Sequence, residues 1–288
     1  MKDFKGIIAI AGLLLFECSQ PDSKHVSTRV DQPVDTASLP VEKEEQASDE
    51  YSDEEELEAS ERDSILLLIA LFKEKNIDKI SNKIAFPLNR EYPIPPIQNK
   101  AAFKQRFSEV FDKTLIDKIA NSKIEQWREV GWRGIALDHG VVWMANSDGI
   151  ITTVNYQSDF EKQYRAELIA KEKEQLHPSL KTFENPEYRI LTENYRIRID
   201  ELANDKYRYA SWKKNADESS KPDLILSNGE LEFQGSGGNH VMTFVSGNYV
   251  YKVYRNMIAE KDTPDITLEI EKNGKTILTE GGSLIIEN

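Results

Sequence analysis

The chain has 288 residues and a formal charge of −13, enough length for one large or two small domains. Ser19 to Asp63 carries 15 Asp or Glu against 4 Lys or Arg, so this segment holds most of the acidity and the rest of the chain is near neutral. A body without basic excess excludes nucleic acid as the expected partner, and a single cysteine, Cys18, excludes an intramolecular disulfide and a cysteine-based metal site.

At the amino terminus Lys2 and Lys5 precede an apolar run from Gly6 to Phe16. A run of that length suits the core of a signal peptide and is well short of the ~20 residues a helix needs to span a bilayer. The four residues that close it, Leu15-Phe16-Glu17-Cys18, resemble the lipobox of bacterial lipoproteins. Phe16 and Glu17 stand where that family has small residues. The resemblance implies that residues 1–17 are a cleaved signal peptide and that Cys18 carries a diacylglycerol on its thiol. It also implies an acylated new amino terminus and a lipid anchor in the bacterial cell envelope, at the outer membrane or cell surface.

Residues 18–61 are rich in Ser, Pro, Asp and Glu and nearly devoid of large apolar side chains. Such a segment cannot bury enough surface to offset its ordering entropy, so it reads as a disordered acidic tether. Ordered structure is expected from about Asp63, which can cap a helix holding Ile65, Leu66, Leu67, Leu68, Ile69, Leu71 and Phe72, apolar enough to pack on two sides. A short helix follows over 77–84. Pro93, Pro95 and Pro96 then force an extended crossing in which Tyr92, Ile94 and Ile97 look like core plugs.

Asn99 caps the next predicted helix, which runs to Ala120. Its Phe103, Phe107, Val110, Phe111, Leu115 and Ile119 recur at spacings of three and four. Gly131 to Leu137, Val141 to Ala145 and Ile150 to Tyr156 read as a three-stranded meander turning at Asp138-His139-Gly140 and at Asn146 to Gly149. Helices followed by such a meander resemble, over residues 63–160, the cystatin-like cone of the nuclear-transport-factor and ketosteroid-isomerase superfamily. The resemblance lies in element order and carries no catalytic residue across. The words Phe86-Pro87-Leu88, Tyr92 to Ile97 and Gly131-Trp132-Arg133-Gly134 are also similar to bacterial lipoproteins of unknown activity.

A charged helix over 158–176 precedes Pro178 and Pro186, after which the apolar period falls to two. Ten short strand candidates lie between Tyr188 and Ile286, with turns expected at Asn228-Gly229, Ser246 to Asn248 and Asn273-Gly274. The expected fold is therefore α+β: a cone-like domain over 62–178, helices packed on an antiparallel meander, followed by a small β-sandwich or barrel over 184–288.

Chemistry-bearing residues are sparse. Asp138 and His139 are adjacent, but Asp beside Gly in a turn is ordinary turn chemistry, and no nucleophile constellation, cofactor motif or metal-ligand spacing accompanies them. Gly235-Ser236-Gly237-Gly238 reads as a wide hairpin, lacking the lysine and following helix of a phosphate loop. The candidate ligand-contacting residues are His139, Arg133 and Trp143 in the first domain and His240 and Trp212 in the second. The expected function is a lipid-anchored module that binds a small ligand or a protein. The alternatives are an enzyme or carrier using a cone pocket, and an inhibitor of a secreted enzyme such as a lysozyme.

Overall fold

The computed structural model describes residues 57–146 and 148–285, which lie in one compact unit. Cys18, the expected signal peptide and nearly all of the expected tether fall outside the described residues.

Helix α1 (Ala59–Lys73) begins four residues before Asp63. Glu58 and Glu61 form its capping box, the Glu58 backbone N–H donating to Glu61 Oε2 at 2.9 Å. One face is buried, whereas Leu66 and Leu67 point to solvent, so α1 packs on one side and not two. Helix α2 (Ile77–Ser81) is capped by Asn76. The proline-rich crossing buries Ile94 and Ile97, and Leu88 and Ile97 exchange backbone hydrogen bonds across it at 2.9 Å. Asn99 caps α3 (Lys100–Val110) as the sequence suggests, but the helix stops at Phe111. Asp112 leaves the helical path and accepts from Leu115 N at 2.9 Å, opening α4 (Lys113–Ala120). An acidic residue able to cap broke the long predicted helix in two.

The meander has four strands: β1 (Trp127–Glu129), β2 (Ile135–Leu137), β3 (Val142–Met144) and β4 (Ile151–Val154), paired in that order. Trp127 supplies the strand that the sequence reading lacked. Successive strand residues point to opposite faces. Trp127, Ile135, Leu137, Val142, Met144, Ile151 and Val154 join the helices in one core, which Phe72, Phe103, Phe107 and Phe111 fill with stacked and edge-on rings.

Helix α5 (Asp159–Gln175), capped by Ser158, ties this core to the second set of strands. Its first turn is pinned by Arg90, which donates to both oxygens of the buried Glu161 at 2.7 and 2.6 Å and to the carbonyls of Val154 and Tyr156.

Strands β5 (Asn185–Thr192), β6 (Tyr195–Leu202), β7 (Lys206–Lys213), β8 (Leu224–Phe233), β9 (His240–Ser246), β10 (Tyr249–Arg255), β11 (Ile266–Lys272) and β12 (Lys275–Leu284) form a closed antiparallel barrel. Neighbours in sequence pair along the meander, and β12 closes on β5 with Gly282 opposite Thr192. Of the two β architectures expected, the closed barrel is the one formed. Its interior is packed with Ile197, Ile199, Tyr209, Met242, Phe244 and Leu268.

Asn228-Gly229 is not a turn. It lies inside β8 as a bulge: Tyr207 pairs with Gly229 and Tyr209 with Leu226, and Asn228 has φ +62°. A Cβ on Gly229 would sit 2.1 Å from Phe244 Cε1, so this glycine lets the barrel's central phenylalanine rest against backbone.

Candidate functional site

The outer face of the four-stranded sheet is where the structure gathers candidate residues. Arg128 is opposite Ala136, Ala136 opposite Trp143, and Trp143 opposite Thr153, so these side chains form a row across the face away from the core. Ala136 is the small member of that row. Between the longer Arg128 and Trp143 its methyl group becomes the floor of a depression of about 420 Å³, bounded also by Val130, His139 and Gly140.

Two tight turns frame the depression. In the β2–β3 turn, Asp138, His139 and Gly140 all have positive φ, at 38°, 53° and 88°. Two consecutive non-glycine residues in that region are strained, and the turn is held by ties at its base. Asp138 Oδ2 accepts from Lys118 Nζ at 2.8 Å and Oδ1 from Gln126 Nε2 at 3.1 Å, while the Asp138 backbone N–H donates to Gln126 O. The Lys118 ammonium holds the Asp138 carboxyl below the usual carboxylate range. A Cβ at position 140 would lie 2.7 Å from Trp143 Nε1, so Gly140 lets the indole fold down over the turn.

The other turn, Gly131 to Gly134, is closed by Val130 N–H to Gly134 O at 2.9 Å and Gly134 N–H to Gly131 O at 3.1 Å. A Cβ on Gly134 would meet Met144 O at 2.3 Å, which seats the turn on β3. The turn raises Trp132, 69% exposed, and places the Arg133 guanidinium 5.8 Å from the centre of the Trp143 ring. His139 and Trp143 thus line one depression, with His139 exposed, and Arg133, ten residues before Trp143, stands next to it over the indole ring.

The two candidates from the barrel sit elsewhere and apart from one another. Trp212 is buried beside Leu176, Leu180 and Phe183, and its Nε1 donates to Ser220 O at 3.0 Å. His240 is buried at the barrel rim, where its Nδ1 lies 2.8 Å from Gly238 O and its Nε2 2.8 Å from Tyr188 Oη. A carbonyl can only accept, so Nδ1 carries the proton and Nε2 accepts from the tyrosine. Burial pushes the imidazole pKa down, which keeps it neutral in this role. The glycine-rich loop before it is tied to a neighbouring loop, Asn239 Oδ1 accepting from the Met257 and Ile258 backbone N–H groups at 2.8 Å.

No family model, curated protein or solved structure matches the chain.

A second cavity, of about 470 Å³, lies where α5 meets the barrel and is walled by Glu172, Arg189, Arg196 and Glu218. Glu172, Arg189, Arg196 and Glu218 are ion-paired there, although Arg196 Nε and Arg198 Nε are buried without a hydrogen-bond partner. Glu218 Oε1 lies 2.9 Å from Arg189 Nε and 3.6 Å from Arg196 Nη1. Beneath it the fully buried Arg198 reaches Asp200 at 2.6 Å and Glu172 at 3.2 Å, and Asp200 also takes Arg208 at 2.5 Å. Burial works against the charge on Arg198, and Asp200 and Glu172 more than offset it. Phe183 lies under this group, with Lys173 and Arg198 placed 4.3 and 4.9 Å from its ring centre. These residues join helix to barrel, and among the described residues no group of three acidic, His or Cys side chains is arranged to hold a metal ion.

The sequence reading did not place Arg128, Ala136 or Gly140 among the ligand-contacting residues. Gly140 left a signal as the end of an Asp-His-Gly turn. Ala136 left none, because an alanine becomes a floor only once its cross-strand neighbours are known.

Proposed function

We propose that the protein is an exported, lipid-anchored envelope protein whose folded body binds a ligand or a protein partner through the outer face of β1 to β3. The observation that carries the binding reading is the convergence of His139 and Trp143 on the Ala136 floor, with Arg133 over the Trp143 ring and the exposed Trp132 on the same turn as Arg133. Exposed Trp and Arg at the edge of a concavity are the residue types that dominate binding energy at interfaces. The cone-like description of residues 62–178 belongs to this proposal too, since α1, α3 and α4 share a core with an antiparallel meander. A cone-pocket enzyme or carrier finds less support, because rings fill the core between helices and sheet and the depression lies on the opposite face.

The anchor reading rests on Leu15-Phe16-Glu17-Cys18 after the apolar run. Among the described residues no helix is long and apolar enough to cross a membrane. Cys18→Ser is expected to move the protein from the membrane fraction to the soluble one; unchanged membrane extraction would sink the anchor. For the binding face, a small-molecule fragment screen on the full chain, followed by indole N–H resonances, is expected to give hits that perturb Trp143. Ala136→Phe, which fills the depression from its floor, should abolish them. Hits that survive this substitution would place binding elsewhere.

A further inference from the structure

We propose that the depression on the sheet takes a carboxylate-bearing ligand, with an apolar ring or chain resting on Ala136 and Trp143 and the carboxylate held by Arg133. This inference rests on the binding face proposed above and adds the chemistry of what that face selects.

The charges at and beside the depression differ in how far they are engaged. Asp138 is held by Lys118 and Gln126, so it contributes little field to the depression. Arg133 is placed differently: it stands exposed over the indole of Trp143, and among the described residues it makes no ion pair with a carboxylate. A guanidinium seated on an aromatic ring keeps its fork of N–H donors for an acceptor in its own plane. A planar carboxylate meets that fork with two parallel hydrogen bonds. The Trp143 ring, itself packed over Gly140, offers the exposed guanidinium a surface at the edge of the depression.

The remaining surface says what accompanies the carboxylate. The floor is the Ala136 methyl group, Val130 and Gly140 line the sides, and the Trp143 ring forms one wall, so most of the interior is apolar. A volume of about 420 Å³ accommodates one ring or short chain rather than an extended polymer. Glu125, exposed on the rim, disfavours a dianion such as a phosphate monoester more than a single carboxylate. His139, exposed at the end of its turn, is the second donor within the same rim.

The test titrates the full chain with N-acetyl-L-phenylalanine and, separately, with its amide, following the Trp143 indole N–H resonance. The two probes differ in the carboxylate alone. The acid is expected to shift Trp143 with at least about tenfold higher affinity than the amide, the range of a charge-assisted pair over a neutral one. Arg133→Met, an exposed substitution that keeps an apolar stem, should bring the two probes to equal affinity, and Arg133→Lys should restore only part of the difference. Glucuronate forms a parallel arm: an Arg133-dependent shift with glucuronate and none with the acylated amino acid would keep the carboxylate and assign a sugar acid as its source. Equal binding of acid and amide to the native chain would overturn the carboxylate proposal while leaving the depression a binding site. No shift of Trp143 with any probe would overturn this proposal, while fragment hits at the depression would decide the binding-face reading separately.

Discussion

Two regions of this molecule carry clustered cations, aromatic rings and a cavity, and they differ in where the charges are satisfied. At the seam between α5 and the barrel, Arg198 and Asp200 are fully buried, with Arg208 closing the other side of Asp200. Phe183 is covered by cationic side chains from both α5 and the strands. On the outer face of the small sheet, Arg133 and Trp132 are raised on a tight turn, and the guanidinium meets an indole instead of a carboxylate. The larger cavity therefore belongs to a joint of ion pairs, and beside the smaller one Arg133 meets no carboxylate. Cavity size alone points to the wrong region; the pairing of charges is what distinguishes a joint from a binding face.

The comparison breaks if the seam can lose a charge without consequence. Asp200→Ala leaves Arg198 and Arg208 buried without their shared partner and is expected to destabilise the fold by about 3–5 kcal/mol, read from urea unfolding. A loss below about 1 kcal/mol would mean that water satisfies the guanidinium groups and that the seam is no joint.

A smaller effect tests the barrel behind the seam. Gly229→Ala places a methyl group into the Phe244 ring and is expected to cost about 1–3 kcal/mol. Adding Phe244→Leu should recover part of that loss, and a purely additive double variant would show that the two positions do not touch.

The pH dependence near the seam sharpens the contrast further. Burial, with the charges of Glu201, Glu91 and Asp200 adding to it and Arg165 opposing, pushes the Glu187 carboxyl up to about 7. Its folded pKa lies above the unfolded value, so the folded state holds this proton more tightly. The stability it contributes is complete below about pH 4.5 and is lost as pH rises through about 7. Glu187→Gln removes that loss: the variant should exceed the native chain by about 1–2 kcal/mol at pH 8 and converge with it near pH 4.5. Equal stability of the two chains at pH 8 would show an unperturbed carboxyl.

The smallest effect is expected on the binding face. Trp132→Ala removes a side chain that packs little and should change stability by no more than about 0.5 kcal/mol, while weakening any ligand or partner that uses the face. A large loss of stability would turn Trp132 from a contact residue into a structural one.

Much of the local structure was legible in the residue order. Asn99 and Ser158 cap the helices they precede, the prolines of 93–96 hold a non-helical crossing, and the period-two segments after Pro186 are strands. The errors arose where a local signal admits two tertiary outcomes. Asn-Gly at 228–229 is strong hairpin chemistry, yet the same positive φ serves a bulge when the strand continues on both sides. Leu66 and Leu67 read as core because they are apolar, and only the placement of neighbouring helices leaves them in solvent. Trp212 and His240 were plausible contact residues by type, and the barrel buries both.

By itself the sequence determined the apolar run at residues 6–16 and the lone cysteine after it, the acidic segment behind them, the helix caps and the periods that separate the helical part from the strands. Those properties depend on neighbours within a few residues, so they survive without a fold. The tertiary structure alone decided that eight strands close into a barrel and that four arginines near the seam hold carboxylates. It also decided that Ala136, His139 and Trp143 line one depression with Arg133 over the Trp143 ring. Strand register and side-chain burial are set by pairings across the sheet, and no single stretch of the chain contains them.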